Sequence, residues 1–154
     1  MKPLKLTMRA FGPYKDEEII DFTKLENHRL FVISGKTGAG KTTIFDGIAF
    51  ALYGSGSGSD RKDQKSLRSQ FADDQVHTAV ELLFEVRGKT YRVLRQLPHV
   101  KKGRKTATGE DYAFFEIGPN GEELKVVERQ KAKEINAKIE EIIGLTYDQF
   151  NQII

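Results

Sequence analysis

Gly35-Lys36-Thr37-Gly38-Ala39-Gly40-Lys41-Thr42 is the stretch on which the reading of this 154-residue chain turns. It fits the pattern G-x-x-x-x-G-K-[ST] throughout, and its flanks fit as well. Ahead of it, Leu30-Phe31-Val32-Ile33 is short, partly β-branched and apolar on both faces, which predicts a buried strand emptying into a loop at Ser34-Gly35. Behind it, residues 42–53 carry Ile44, Phe45, Ile48, Ala49 and Leu52 at the spacing of one helix face, and Gly54 ends the run. A strand, a glycine-rich loop and a helix N-terminus are the parts of an anion cradle. The glycines let successive N–H groups converge on phosphate oxygens, and the helix end adds unpaired N–H groups and the positive pole of its dipole. The expected nucleotide site is Gly35, Lys36, Thr37, Gly38, Ala39, Gly40, Lys41, Thr42 and Thr43. Lys41 is the expected catalytic lysine, charging the β and γ phosphates, and the Thr42 hydroxyl is the expected ligand to Mg²⁺. The bland alternative is a glycine-rich turn with a solvated lysine, and the two matching flanks count against it.

Hydrophobic residues make up 38% and charged residues 31% of a chain whose length suits one domain. No apolar run approaches the roughly 20 residues that a membrane helix needs, so no membrane partner is expected. Residues 1–13 lack the uninterrupted apolar stretch of a secretory leader. With no cysteine the chain can hold neither a disulfide nor a thiolate zinc site, and a cytoplasmic location is expected.

The remaining pattern predicts an α/β fold with antiparallel hairpins beside the phosphate-loop strand and helix. Residues 4–10 and 17–21 read as strands around Gly12-Pro13, and 78–86 and 89–97 as a hairpin around Arg87-Gly88. Residues 112–117 and 123–127 flank Pro119-Asn120-Gly121, a strong turn signal because both Asn and Gly tolerate positive φ. Ala132, Ile135, Ile139 and Ile142 predict a helix over 129–143 that ends at Gly144. Thr146-Tyr147-Asp148-Gln149 then has the form of a capping box, opening a further helix that reaches Ile154 and suggesting a piece of something longer. The Gly-Ser stretch 54–60 reads as a surface loop, native or an engineered join.

The net charge of +3 hides an asymmetry. Residues 86–109 contain no acid and eight cations, leaving 17 basic against 22 acidic residues elsewhere. Lys101, Lys102, Arg104 and Lys105 at a hairpin tip, with Arg92 and Arg95 behind them, would suit the phosphates of DNA. Cations on an edge strand also guard against sheet-to-sheet aggregation. The missing acids favour DNA, bound without base readout, since nothing resembles a recognition helix. Asp21, Glu81 and Glu85 read as strand-edge or solvent-face charges, and the isolated His77 and His99 receive no role.

Met8-Arg9-Ala10-Phe11-Gly12-Pro13-Tyr14, the run from Gly35 to Gly54, and Leu67-Arg68-Ser69 resemble the N-terminal head segment of the SbcC family of SMC-like, ABC-type ATPases. The resemblance implies that residues 1–154 are the N-terminal lobe of an ABC-type head with ATP and Mg²⁺ as cofactors. It implies a C-terminal lobe, beyond a coiled coil with a zinc hook, that supplies the signature motif and Walker B acid. It further implies a homodimer of heads closing on ATP, an SbcD nuclease partner, and double-stranded DNA as the substrate of an exonuclease and hairpin endonuclease in repair. The family's loop glutamine falls beyond residues 147–150 and Gln152 is not it, so the chain alone is expected to bind ATP without turnover. Two other readings stay open: a DNA-organising head of another SMC or RecF type, and a self-contained P-loop kinase or GTPase. The last would need its own second acid and base-recognition motif.

Overall fold

A computed structural model describes residues 1–25, 39–54 and 64–153. Its strands are β1 (Lys2–Phe11), β2 (Tyr14–Asp21), β3 (Ala79–Val86), β4 (Lys89–Gln96), β5 (Asp111–Ile117) and β6 (Glu123–Lys125). They form one antiparallel sheet in the order β2-β1-β3-β4-β5-β6. Among the described residues three α-helices, α1 (Ala39–Tyr53), α2 (Ala132–Ile143) and α3 (Tyr147–Ile153), complete the α/β architecture. The strand expected at 30–33 and the Gly-Ser stretch from residue 55 lie outside the described residues. Among the described residues no helix is long and apolar enough to cross a membrane.

Local turn chemistry explains the hairpins. Arg87 (φ 50°) and Gly88 (φ 79°) both take positive φ, the two-residue turn whose twist matches its strands, and so Val86 pairs with Lys89. Between β5 and β6 the positive φ falls on Gly121 alone (80°) and not on Asn120, and the amides of Gly118 and Gly121 close the loop onto Glu122 and Gly118. Strand β6 stops at Lys125, short of the expected 127, because Val127 turns inward and is buried.

Period-two alternation then decides which face is buried. Val80, Leu82 and Phe84 of β3 and Tyr91 and Val93 of β4 point to the helices, with Leu6, Met8 and Phe114 beside them. Phe84, Tyr91 and Phe114 stack across three strands with ring centroids 5.5–6.3 Å apart. Leu83, which broke the alternation in sequence, lies half-buried on the opposite face.

Helix α1 starts within the glycine-rich motif, three residues before the expected Thr42. Its burial is wider than the expected stripe: Phe50 and Ala51 are fully buried together with Ala49 and Leu52. The sheet lies against one side, and α2 and α3 cover the other, so the helix is apolar nearly all round. Gly47 permits the close approach, since a Cβ there would stand 2.8 Å from Met8 Sδ and 3.1 Å from Leu6 Cδ2. Helix α2 ends at Gly144 (φ 79°), and the capping box of α3 forms as expected. Thr146 Oγ1 accepts from the Gln149 amide at 3.2 Å, and Gln149 Oε1 accepts from the Thr146 amide at 2.9 Å. Tyr53 joins α3 to α1 by packing on Tyr147 and Phe150 and by donating its hydroxyl to the Leu145 carbonyl at 2.8 Å.

Candidate phosphate site and basic loop

The residues of the glycine-rich motif divide at the start of α1. Gly35, Lys36, Thr37 and Gly38 lie outside the described residues, whereas Ala39, Gly40, Lys41 and Thr42 are the first residues of the helix. The first N–H groups of a helix have no partner within it, so the backbone of this segment is of the kind an anion requires. Thr43 follows, buried in the protein. The turn between β1 and β2 packs on it: a Cβ on Gly12 (φ 58°) would come within 2.9 Å of Thr43 Cγ2, a place that only glycine fits.

Segments far apart in sequence meet at this turn. The Gly12 amide donates to the Leu67 carbonyl at 2.8 Å, and the Ser69 amide to the Ala10 carbonyl at 2.9 Å. Thr78 Oγ1 donates to the same Ala10 carbonyl at 2.8 Å. Arg68 is held in turn by the carbonyls of Val76 and, at 3.0 Å, Asp73. Residues 8–14, the first turn of α1 and residues 67–69 are therefore one structural unit.

The far end of α1 is closed by a residue for which a different role was expected. Arg95, grouped by sequence with the cations facing DNA, is 1% exposed. Its Nε donates to the Ala51 carbonyl at 2.8 Å and its Nη2 to the Leu52 carbonyl at 3.0 Å. The last carbonyls of a buried helix need donors, and a cation also suits the negative end of the dipole. Burial pushes the guanidinium down to about 10, which still leaves it charged at neutral pH. Arg95 is therefore a helix cap in this structure, withdrawn from the protein surface.

Arg92 is also engaged, on the opposite face of the sheet. It pairs with Glu81 at 3.3 Å and Glu123 at 2.6 Å, and lies 5.8 Å from the ring centre of Phe115. Glu81 is thus a strand-face charge, as expected. Asp21, at the end of the edge strand β2, accepts from the Thr23 hydroxyl and, at 3.0 Å, from the Thr23 amide, and these bonds hold its carboxyl below the usual range.

Lys102, Arg104 and Lys105 are exposed and Lys101 half-exposed, on the loop joining β4 to β5. The Arg104 amide donates to the Lys101 carbonyl at 2.9 Å and Gly103 takes φ 81°, so the cations ride on a tight turn. The loop folds against residues 73–78. His99 and Thr108 exchange two backbone hydrogen bonds of 3.0 Å. Asp74 Oδ1 accepts from His99 Nε2 at 2.9 Å and its Oδ2 from the Lys102 amide at 2.9 Å. Those two bonds, led by His99, hold the Asp74 carboxyl below its ordinary value. His77 Nε2 donates to the Thr108 carbonyl at 3.0 Å, over Gly109 (φ 84°), where a Cβ would strike the ring at 2.2 Å. A cleft of ≈ 510 Å³ opens behind the loop, lined by Leu97, Pro98, Val100 and Ala107 with Arg68, Thr78 and His99. Sequence reading missed His77, His99 and Asp74, whose partners lie 25 to 31 residues away. The one hint was the acid pair Asp73-Asp74 ahead of an acid-free run.

Known proteins are similar to this chain in sequence. The chain is 40% identical over 155 residues to the C subunit of nuclease SbcCD from Staphylococcus aureus strain MRSA252, covering 99% of this chain and 15% of that protein. The same figures hold for its counterpart in strain JH9. The chain thus spans about 15% of the length of the curated relatives it matches. Among solved structures, the SMC head domain from Thermotoga maritima is similar at 19% identity and a TM-score of 0.43, over 81% of this chain and 39% of that one. The model of the AAA domain family matches residues 5–154, and on that match the chain belongs to the AAA domain family.

Proposed function

We propose that this chain is the ATP-binding N-terminal lobe of a dimeric, ABC-type ATPase head that acts on double-stranded DNA together with an SbcD-type nuclease, in the cytoplasm. The observation that carries the reading is the start of α1 at Ala39, inside Gly35-Lys36-Thr37-Gly38-Ala39-Gly40-Lys41-Thr42, with the turn of Gly12 packed on Thr43. A helix that begins within this motif offers its unpaired amides and dipole to a phosphate. Lys41 would then neutralise the β and γ oxygens, and the Thr42 hydroxyl would hold Mg²⁺, which supplies further charge neutralisation when bound. The similarity to the SbcCD nuclease's C subunit supports this reading over another SMC or RecF-type head.

A phosphate loop supplies only part of the machinery of phosphoryl transfer, since an in-line water must be oriented and charge on the equatorial oxygens offset. The remaining parts are proposed to come from the C-terminal lobe and from a second head. In a phosphate-release assay with ATP and Mg²⁺ the chain of 154 residues is therefore expected to show no sustained turnover. Co-expression with the C-terminal lobe is expected to restore activity, at a rate per head that rises with protein concentration. Sustained turnover by the chain alone, lost on Lys41→Ala, would favour a self-contained P-loop enzyme instead.

Duplex DNA is proposed to lie on the loop of Lys101, Lys102, Arg104 and Lys105, with Arg92 at the margin and Arg95 excluded by its burial. Changing the four loop cations to Gln is expected to weaken binding and to flatten the dependence of log K on log[salt], by about 0.9 for each phosphate that is no longer neutralised. An unchanged slope would assign these cations to protecting the sheet from aggregation.

A further inference from the structure

Fourteen residues, 97–110, join β4 to β5 and carry the four loop cations. A free connection of this length would sample many arrangements, and ordering it on a ligand would subtract from the affinity its charges provide. This loop is not free. The pairing of His99 with Thr108 closes its neck, the His77 ring holds the Thr108 carbonyl, and Gln96 Nε2 donates to the Gly109 carbonyl. Beyond the neck, the tip has a single side-chain anchor among the described residues. The two oxygens of Asp74 take the His99 ring on one side and the Lys102 amide on the other, within the run of Lys101, Lys102, Arg104 and Lys105. The Lys101–Arg104 turn is thus tied to residues 73–77 by one carboxylate.

We propose that Asp74 and His99 are positioning residues that preform the phosphate-binding turn, fixing the backbone at Lys102 so that the surrounding cations face the DNA backbone in one arrangement. This rests on the reading of the loop as the DNA contact. The chemistry has a distinguishing feature, because Asp74 carries the wrong charge for a residue that helps bind phosphate. As a bare negative charge beside the turn it repels the ligand, and its removal would tighten binding. As a latch it preorganises the turn, and its removal weakens binding. The sign of the change upon substitution separates the two.

The test measures binding of a labelled duplex of arbitrary sequence at two salt concentrations, alongside amide hydrogen exchange over residues 97–110. Asp74→Ala is expected to bind about fivefold to tenfold more weakly, with faster exchange at the Lys102 amide, because order must then be established on binding. Asp74→Asn keeps an oxygen for the Lys102 amide and loses the repulsive charge, so it is expected to bind as well as the unaltered protein or better. His99→Ala should follow Asp74→Ala, and His99→Gln, which retains a donor for Asp74, should restore binding. If Asp74→Ala binds as tightly as the unaltered protein, or more tightly, the latch is wrong while the DNA reading stands, provided that the fourfold Gln variant has lost affinity. If the fourfold variant binds normally, the loop is not the DNA-binding surface and both ideas fall together. Each variant alters the surface of the sheet's end, and unchanged thermal melting would confirm that the fold is retained.

Discussion

Arg95→Met is expected to lower the free energy of unfolding by about 3 to 5 kcal/mol. The methionine would nearly refill the volume, so little of the loss would come from a cavity. The loss comes from two helix-end carbonyls, Ala51 and Leu52, left buried without their donors. An unmet buried acceptor costs about 1 to 3 kcal/mol, and the favourable placement of a cation at a helix C-terminus is worth up to about 2 kcal/mol more. Against this, the substitution removes the desolvation cost of burying a guanidinium, which is why the sum falls short of the extremes. Urea denaturation measures it, and Arg95→Lys, with one donor group on a flexible stem, should recover only part. A change below about 1 kcal/mol, accompanied by a clear loss of DNA affinity, would return Arg95 to the set of DNA-binding residues.

That residue also shows how much of the molecule was legible in its sequence. Hairpins were legible because their cause is local: Arg87-Gly88 and Asn120-Gly121 hold the turn chemistry within a few residues, as Thr146 and Gln149 hold the cap of α3. The helix that follows the glycine-rich motif was legible for the same reason, although it starts at Ala39 and not at Thr42. The burial of Arg95 was not anticipated because it was grouped by charge with its neighbours, when the period of the strand gave the better signal. Tyr91, Val93, Arg95 and Leu97 alternate, and all four are buried. A cation in an apolar row must find acceptors, and an adjacent helix end is where unpaired carbonyls are. The bonds of Asp74 were beyond such reading. Contacts between residues 74, 99 and 102 depend on how the loop folds back on the sheet, and no local pattern encodes that.

Lys41→Ala is expected to abolish measurable binding of ATP while leaving the fold intact. The unaltered chain is expected to bind ATP weakly, because by the proposed reading half of the pocket belongs to another lobe whereas the phosphate cradle is local. A hydrogen bond to a charged group contributes about 1.5 to 3 kcal/mol, so loss of the lysine should weaken the complex by roughly 10- to 150-fold, enough to carry a weak affinity out of range. The backbone amides of the α1 N-terminus would remain, and they set the floor of the residual binding. Calorimetric titration with ATP, with and without Mg²⁺, reads the effect. Removal of Mg²⁺ should weaken binding to the unaltered chain, since the Thr42 hydroxyl then loses the ion through which it is proposed to reach the nucleotide. Far-ultraviolet circular dichroism serves as the control, because α1 must still start at Ala39 for the comparison to concern the side chain alone. If Lys41→Ala and the unaltered chain bind ATP with the same affinity, the glycine-rich motif is a structural turn, and the nucleotide site must be sought elsewhere in the molecule.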